Sequence, residues 1–558
     1  MSTDLLGACV PATFNPTLFG ASILNLQAHP VTDYSVNVNE AFRQTQPSVQ
    51  ADNIRFCNVT VSLTHPGQND NVVFEIWLPI DNWNNRFQAV GGGGWIAGGS
   101  KFILSLASMQ GAIADGYATM TTDAGLGSRM DAEPWALASP GNVNLYNLES
   151  LGSKSLYDGS ILGKSIIRDF YGKGPDYSYW NGCSQGGRQG LMLAQRFPKA
   201  YDGIAASAPA IYWTELFPSI LWGQQIMNEL NEYPSACEFE AITAAAVAAC
   251  DGLDGVDDGI INNPEECLAT FNPFETVGKS FECAQSNVGT ITISTGAAII
   301  MNATWHGMRA KDGRRIYPGP LPGADMTSDF TVSWGQTGIL DTTCSANGTC
   351  VGAPHILGRQ WFQLFIAKNP EWTFGNLTRE EFDNMSYMSR QQYRSMIGTD
   401  DPDLSNFRNA GGKMITFHGL ADNIIPSGAS EQYYHVVAQL LPDVRDFYRY
   451  YEAPGLGHCF GGPSQNPTSL FSQLRAWVEN GTVPEHTPIK VNAKDGTTHN
   501  RILCPYPQKA QLTACRDPAD AECWSCVGAT SLSSTKKGYS GLYGYRYYSS
   551  MINFLSPF

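Results

Sequence analysis

Charge is scarce in this chain. Only 15% of its 558 residues are Asp, Glu, Lys or Arg, against about a quarter in an ordinary globular protein. Solubility must then rest partly on uncharged polar groups or on attached sugar. Positive charge is scarcer still: 35 Lys and Arg stand against 51 Asp and Glu, a net charge of -16. That balance argues against nucleic acid or an anionic membrane surface as a partner. No apolar run approaches the roughly 20 residues of a membrane span. Met1 to Pro11 has neither a basic start nor a long apolar stretch, so no secretory leader is visible, and the expectation is that one has been removed. Internal repeats and low-complexity tracts are also lacking. What is present is a normal apolar content of 43% in a length that allows two or three domains, or one with a large insertion.

Cysteine is plentiful and even in number, at 14. No cluster has zinc-site spacing with histidines nearby. Cys523-Trp524-Ser525-Cys526 is a C-x-x-C, but Cys504 and Cys515 lie close by and make nested disulfides the simpler reading. All of Cys9, Cys57, Cys183, Cys237, Cys250, Cys267, Cys283, Cys344, Cys350, Cys459, Cys504, Cys515, Cys523 and Cys526 are expected in disulfides, hence in an oxidised, secreted protein. N-x-S/T sequons at Asn58, Asn302, Asn347, Asn376, Asn384 and Asn480 are candidate glycosylation sites.

Residues 1–210 alternate strand and helix signals. Asn71–Pro79, Phe87–Val90, Tyr117–Thr121, Tyr177–Trp180 and Gly203–Ser207 read as strands, and Ser153–Phe170 and Arg188–Phe197 as helices. The pattern resumes over 408–558, with strands at Met414–Phe417 and Phe447–Glu452 and helices at Ser427–Leu441 and Ser469–Glu479. Alternation of this kind implies a mainly parallel sheet with helices on its faces, an α/β fold. Residues 211–407 lack the alternation and read as a lid inserted into that core. The tail beyond Arg501 is expected to wrap the surface.

Gly182-Cys183-Ser184-Gln185-Gly186 matches the G-x-S-x-G nucleophile elbow, here between a strand and a helix as the motif requires. Asp422 follows the strand ending in His418-Gly419, and His458 lies in the glycine-rich loop after the next strand. The order Ser, Asp, His is that of α/β-hydrolases. Each residue falls beyond a strand's carboxyl end, where open α/β sheets meet their ligands. Ser184 is the expected nucleophile, His458 the general base and Asp422 the group that orients the ring. The Gln185 backbone N–H is expected to form half of an oxyanion hole, with Gly93 or Gly94 of Gly91-Gly92-Gly93-Gly94 as the second donor. The competing readings are a turn aspartate and a buried structural histidine. Asp401 and Asp403 precede the strand and fit worse as the acid, and His418 is assigned to packing. A bond between Cys183 and Cys459 would tie the nucleophile's turn to the loop of its base.

Cys-Ser, then Asp, then His-Cys resembles the signature of the fungal tannase and feruloyl esterase family. Gly182-Cys183-Ser184-Gln185-Gly186-Gly187-Arg188 is similar to that family's elbow, and the likeness runs from Cys9 to the last cysteines. It implies a secreted α/β-hydrolase with a large lid that cleaves phenolic acid esters, and it implies the Cys183–Cys459 disulfide. The elbow looks nearer the feruloyl esterase branch, so a hydroxycinnamate such as ferulate is the expected acyl group, with a gallate as the alternative. Arg314-Arg315 in the lid is a candidate processing site of the kind some tannases have, and does not separate the two branches. A non-catalytic hydrolase-fold protein that binds cell-wall material, and a peptidase, are the readings from other classes. The substrate expected is a small or polysaccharide-linked phenolic ester, with no nucleic acid or membrane partner. Oligomeric state is not readable.

The second constellation is acidic: Cys250-Asp251-Gly252-Leu253-Asp254-Gly255-Val256-Asp257-Asp258-Gly259-Ile260. Closely spaced carboxylates between glycines suit a hard cation that takes oxygen ligands. Asp254 to Glu265 nearly follows an EF-hand loop, but Val256 breaks it and the flanks do not read as two helices. The resemblance implies a structural Ca2+ site in the lid formed by Asp251, Asp254, Asp258 and the carbonyls of Val256 and Ile260. Cys250 and Cys267 would clamp it.

Overall fold

The computed structural model describes residues 5–283, 289–328, 338–345, 348–375 and 377–528. Its centre is a nine-stranded sheet. The strands are β1 (Ser22–Val38), β2 (Val49–Thr64), β3 (Val72–Pro79), β4 (Arg86–Val90), β5 (Ala118–Thr122), β6 (Tyr177–Cys183), β7 (Gly203–Ser207), β8 (Lys413–Gly419) and β9 (Tyr448–Ala453). Across the sheet the order is β1-β2-β3-β5-β4-β6-β7-β8-β9. The pairs from β1 to β5 along that order are antiparallel, and every pair from β5 to β9 is parallel. All nine strands lie within the expected core; among the described residues, 211–407 contributes none.

The parallel strands are short and apolar because both their faces are covered. β7 is buried at every residue, as is β6 beyond Tyr177. The helices that matter for the site are α1 (Ile103–Ala114), α2 (Ser155–Tyr171), α3 (Gln185–Arg196), α4 (Trp213–Ile220), α5 (Trp222–Leu230), α6 (Ala236–Cys250), α7 (Pro264–Thr270) and α8 (Ser427–Leu440). One apolar cluster joins the sheet to α2, α3 and α8 through Phe74, Phe87, Met120, Ile166, Leu191 and Tyr433. A second packs the 211–407 segment against the loop after β4, with Trp95 stacked on Phe217, Trp361 and Phe365 at 5.1, 6.1 and 5.4 Å between ring centres. Trp95 is fully buried there.

Three elements depart from the sequence reading. The β1–β2 hairpin was not anticipated, because Pro30 and Asp33 interrupt β1 and most of that strand faces solvent; a proline is tolerated on such an edge. Helix α3 begins at Gln185, three residues before the expected Arg188, despite Gly186 and Gly187. Tertiary contact overrides their low helix propensity: Gly186 N–H donates to Gly92 O at 3.1 Å. The acidic loop is flanked by two helices after all, α6 and α7, joined by Cys250–Cys267. Ser235 and Glu238 form a capping box for α6, and Pro264 occupies the first turn of α7, both recognisable start signals.

The fourteen cysteines form Cys9–Cys57, Cys183–Cys459, Cys237–Cys283, Cys250–Cys267, Cys344–Cys350, Cys504–Cys526 and Cys515–Cys523. No described helix is long and apolar enough to cross a membrane.

Candidate active site

Parallel pairing puts the carboxyl ends of β4, β6, β8 and β9 on one edge of the sheet, where ligand sites of open α/β folds form. The loops leaving that edge carry Gly91–Gly94, Ser184, Asp422 and His458. Ser184 sits at φ 63°, ψ -122°, a strained setting for a residue with a Cβ. The strain is held by close packing: a Cβ on Gly182 would meet the Gly186 carbonyl carbon at 2.7 Å. Ser184 N–H also donates to Ser207 O at 3.1 Å. The hydroxyl is thereby aimed off the sheet.

His458 Nε2 lies 2.9 Å from Ser184 Oγ, and His458 Nδ1 lies 2.8 Å from Asp422 Oδ2. Asp422 Oδ1 accepts the N–H groups of Ile424 and Ile425 at 3.0 and 2.8 Å. Burial by itself would raise the Asp422 carboxyl; the charge of His458 and hydrogen bonds from His418 and His458 reverse this and hold it well below the usual carboxylate range. It therefore stays ionised beside the ring it orients. The Cys183–Cys459 bond joins the residues adjoining Ser184 and His458 across 276 positions of chain.

His418, assigned to packing, is buried as expected and also reaches the acid, a contact the sequence reading did not include. The ring is fully buried. Its Nε2 is 2.8 Å from Ile425 O and 3.2 Å from Asp422 Oδ2. A carbonyl only accepts, so Nε2 carries the proton, and Nδ1 accepts from Ser430 Oγ at 2.8 Å. The same proton therefore also faces the carboxylate oxygen bound by His458. The strand-end position of His418 in the sequence hinted at proximity to Asp422; the hydrogen bond depends on the turn over 420–425.

Gln185 occupies the first position of α3, where a backbone N–H has no acceptor within the helix. Across from it, Gly93 and Ile96 exchange backbone hydrogen bonds at 3.1 and 2.9 Å around a tight turn with Gly94 at φ +56°. The Gly93 N–H is thus used by Ile96 O, whereas the Gly94 N–H has no acceptor among the described residues. The loop is pinned to α3 by Gln189, whose side chain accepts from Gly92 N at 3.0 Å and donates to Ala97 O at 2.8 Å.

The cavity over Ser184 is lined by Gly92–Gly94, Phe102, Met130, Ile424, His458 and Phe460, and by Trp213, Leu216, Phe217 and Ile220 of α4. It is a mainly apolar slot whose lining includes Ser184 and His458.

In the acidic loop, Asp251 accepts the N–H groups of Asp258, Gly259 and Ile260 at 2.9, 2.8 and 3.2 Å, and Lys494 Nζ at 3.1 Å. Asp258 pairs with Arg501, and Asp254 accepts Val256 N at 2.9 Å and Asn262 Nδ2 at 2.5 Å. Among the described residues, no group of three or more His, Cys, Asp or Glu side chains is gathered as a metal site. The oxygen donors nonetheless suit a hard cation in kind. Asp254 and Asp258 are raised by burial and by neighbouring negative charge. Val256 and Ile260 are buried, and neither carbonyl receives a hydrogen bond among the described residues.

Of the sequon asparagines, Asn384 and Asn480 are exposed and Asn58 and Asn302 half-buried; Asn347 and Asn376 lie outside the described residues.

An elbow serine, a histidine and a carboxylate in hydrogen-bonded series on this sheet define a hydrolase of the α/β-hydrolase fold. Residues 57–527 match the family model described as tannase and feruloyl esterase. A probable feruloyl esterase of Arthroderma benhamiae is 36% identical over 506 residues, covering 88% of each chain. A tannase of Aspergillus oryzae is 27% identical, covering 90% of this chain and 89% of its own. Among solved structures, the tannin acyl hydrolase from Aspergillus niger superposes with a TM-score of 0.82 at 28% identity, covering 94% of both chains. The chain belongs to the tannase and feruloyl esterase family, and its enzyme class is that of the carboxylic ester hydrolases.

Proposed function

We propose that the protein is a secreted serine esterase that hydrolyses phenolic acid esters, with hydroxycinnamoyl esters such as ferulates preferred. The observation that carries the reading is the Ser184–His458–Asp422 series, at 2.9 and 2.8 Å, opening into an aromatic slot. His458 takes the Ser184 proton as Oγ attacks the ester carbonyl. The Gln185 and Gly94 N–H groups stabilise the oxyanion, each worth about 3 kcal/mol of barrier. The tetrahedral adduct collapses to an acyl-Ser184 while His458 protonates the leaving alcohol. Water, deprotonated by the same ring, then releases the acid.

The ferulate preference is supported by the 36% identity to a probable feruloyl esterase. A galloyl ester is the second reading, favoured by the TM-score of 0.82 to a tannin acyl hydrolase. Rates on methyl ferulate, methyl caffeate and methyl gallate separate the two. Labelling by a fluorophosphonate tests the nucleophile: wild type is expected to label at Ser184, with kcat falling about 10^4-fold or more in Ser184→Ala. An unlabelled wild-type protein overturns the serine mechanism.

The 211–407 segment serves as the lid that supplies α4 to the slot. Within it, Asp251, Asp254, Asp258 and the carbonyls of Val256 and Ile260 would hold a Ca2+ ion, whose charge would offset the clustered carboxylates and stiffen the loop. Secretion is supported by the seven disulfides. Asn384 and Asn480 are the sequons best exposed to receive sugar.

A further inference from the structure

Two residues that line the catalytic cavity each carry a buried hydrogen-bond donor with no partner. Gln185 Nε2 and Trp213 Nε1 lack any partner, and each residue is only 1% exposed. Other buried polar atoms in the described residues are also unpaired, but these two belong to residues that line the slot at Ser184. An orphaned buried donor is costly, so a ligand acceptor is the natural partner.

The orientation of the amide is dictated by chemistry. Arg188 Nε donates to Gln185 Oε1 at 2.6 Å. A guanidinium has no acceptor, so the amide oxygen must face it and the NH2 group must point elsewhere. Arg188 is itself fixed by Leu151 O, Gly152 O and Thr399 Oγ1 at 2.8, 2.9 and 3.2 Å. The same guanidinium stands 5.4 Å from the Trp213 ring centre. One buried cation thus orients the amide and stacks over the indole.

We infer that Gln185 Nε2 and Trp213 Nε1 form a donor subsite that binds an acceptor oxygen on the aromatic ring of the substrate's acid. This deepens the phenolic ester reading and rests on it. Leu216, Phe217 and Ile424 supply the flat apolar surround, and the two donors supply the polar anchor. A ring bearing a hydroxyl or methoxy oxygen satisfies them; a bare ring leaves both unpaired, which is how a site built for hydrogen bonding rejects an analogue.

The test compares ferulate with cinnamate, as free acids for binding and as methyl esters for kcat/KM, in wild type, Gln185→Glu, Gln185→Met and Trp213→Phe. Glutamate keeps an acceptor for Arg188 but presents no N–H, and phenylalanine keeps a ring on Arg188 without the indole donor. Wild type is expected to favour ferulate by about tenfold or more, and each variant to lose about tenfold of that ratio, chiefly through Kd and KM. Equal affinity for the two acids in wild type, or a ratio unchanged in Gln185→Glu and Trp213→Phe, overturns the subsite. Discriminating binding that collapses in the variants, with neither ester cleaved, upholds the subsite and sinks the phenolic ester reading instead.

Discussion

Asp422 is saturated: two backbone N–H groups meet one oxygen, and two histidines meet the other. In the proposed mechanism His458 moves the proton and His418 positions the acid. His418→Phe should therefore lower kcat by about tenfold with little change in KM, because one donor to a buried carboxylate is lost. It also strands Ile425 O and Ser430 Oγ, so a lower melting temperature is expected alongside. Steady-state rates and a thermal melt on the same preparation check both parts, and an unchanged kcat in a folded variant refutes the positioning role. Ser184 was legible because the elbow is a local motif with its own glycines. The contribution of His418 was not, since its neighbours Ile425 and Ser430 reach it only once the turn after β8 folds back. Gly93 and Gly94 were indistinguishable for a similar reason: the turn to Ile96 decides which N–H remains available.

At the scale of elements, α4 brings Trp213, Leu216, Phe217 and Ile220 to the slot and buries Glu215 on its other side. Burial, then the negative charge of Asp400, pushes the Glu215 carboxyl up to about 7 from an ordinary 4.5. The folded state thus keeps a proton that the unfolded chain gives up between pH 4.5 and 7. Stability should fall as pH rises through that window, since the unfolded state binds fewer protons there. Melting temperatures of wild type and Glu215→Gln are expected to diverge in favour of the variant across the same interval; parallel curves would contradict it. Most core elements were readable from periodicity: β7 matches its expected bounds, and β8, β9 and α8 lie within a few residues of theirs. The β1–β2 hairpin was not read: edge strand β1 faces water and shows little apolar alternation, while β2 pairs on both sides and its buried Val59, Val61 and Leu63 alternate as a strand should, a signal the reading passed over.

At the scale of the whole molecule, one disulfide joins the two stretches of core that residues 211–407 separate. The Cys183–Cys459 bond closes 276 positions, a loop worth roughly 5 kcal/mol in the chain-entropy account, whose mechanism is disputed. The paired Cys183→Ala, Cys459→Ala variant should melt several degrees lower, and its kcat should drop because Ser184 and His458 are no longer tied; calorimetry and turnover measure the two effects separately. Chelation with EDTA should lower the melting temperature if Ca2+ sits in the 251–260 loop, and an identical melt refutes a stabilising ion. The sequence by itself determined the candidate triad and the parallel part of the sheet: the elbow, the Ser-Asp-His order and the β/α alternation are local patterns that survive without coordinates. The tertiary structure alone decided which donors remain unspent, at Gly94, Gln185 and Trp213, because a hydrogen bond is spent or spared only by what packs beside it.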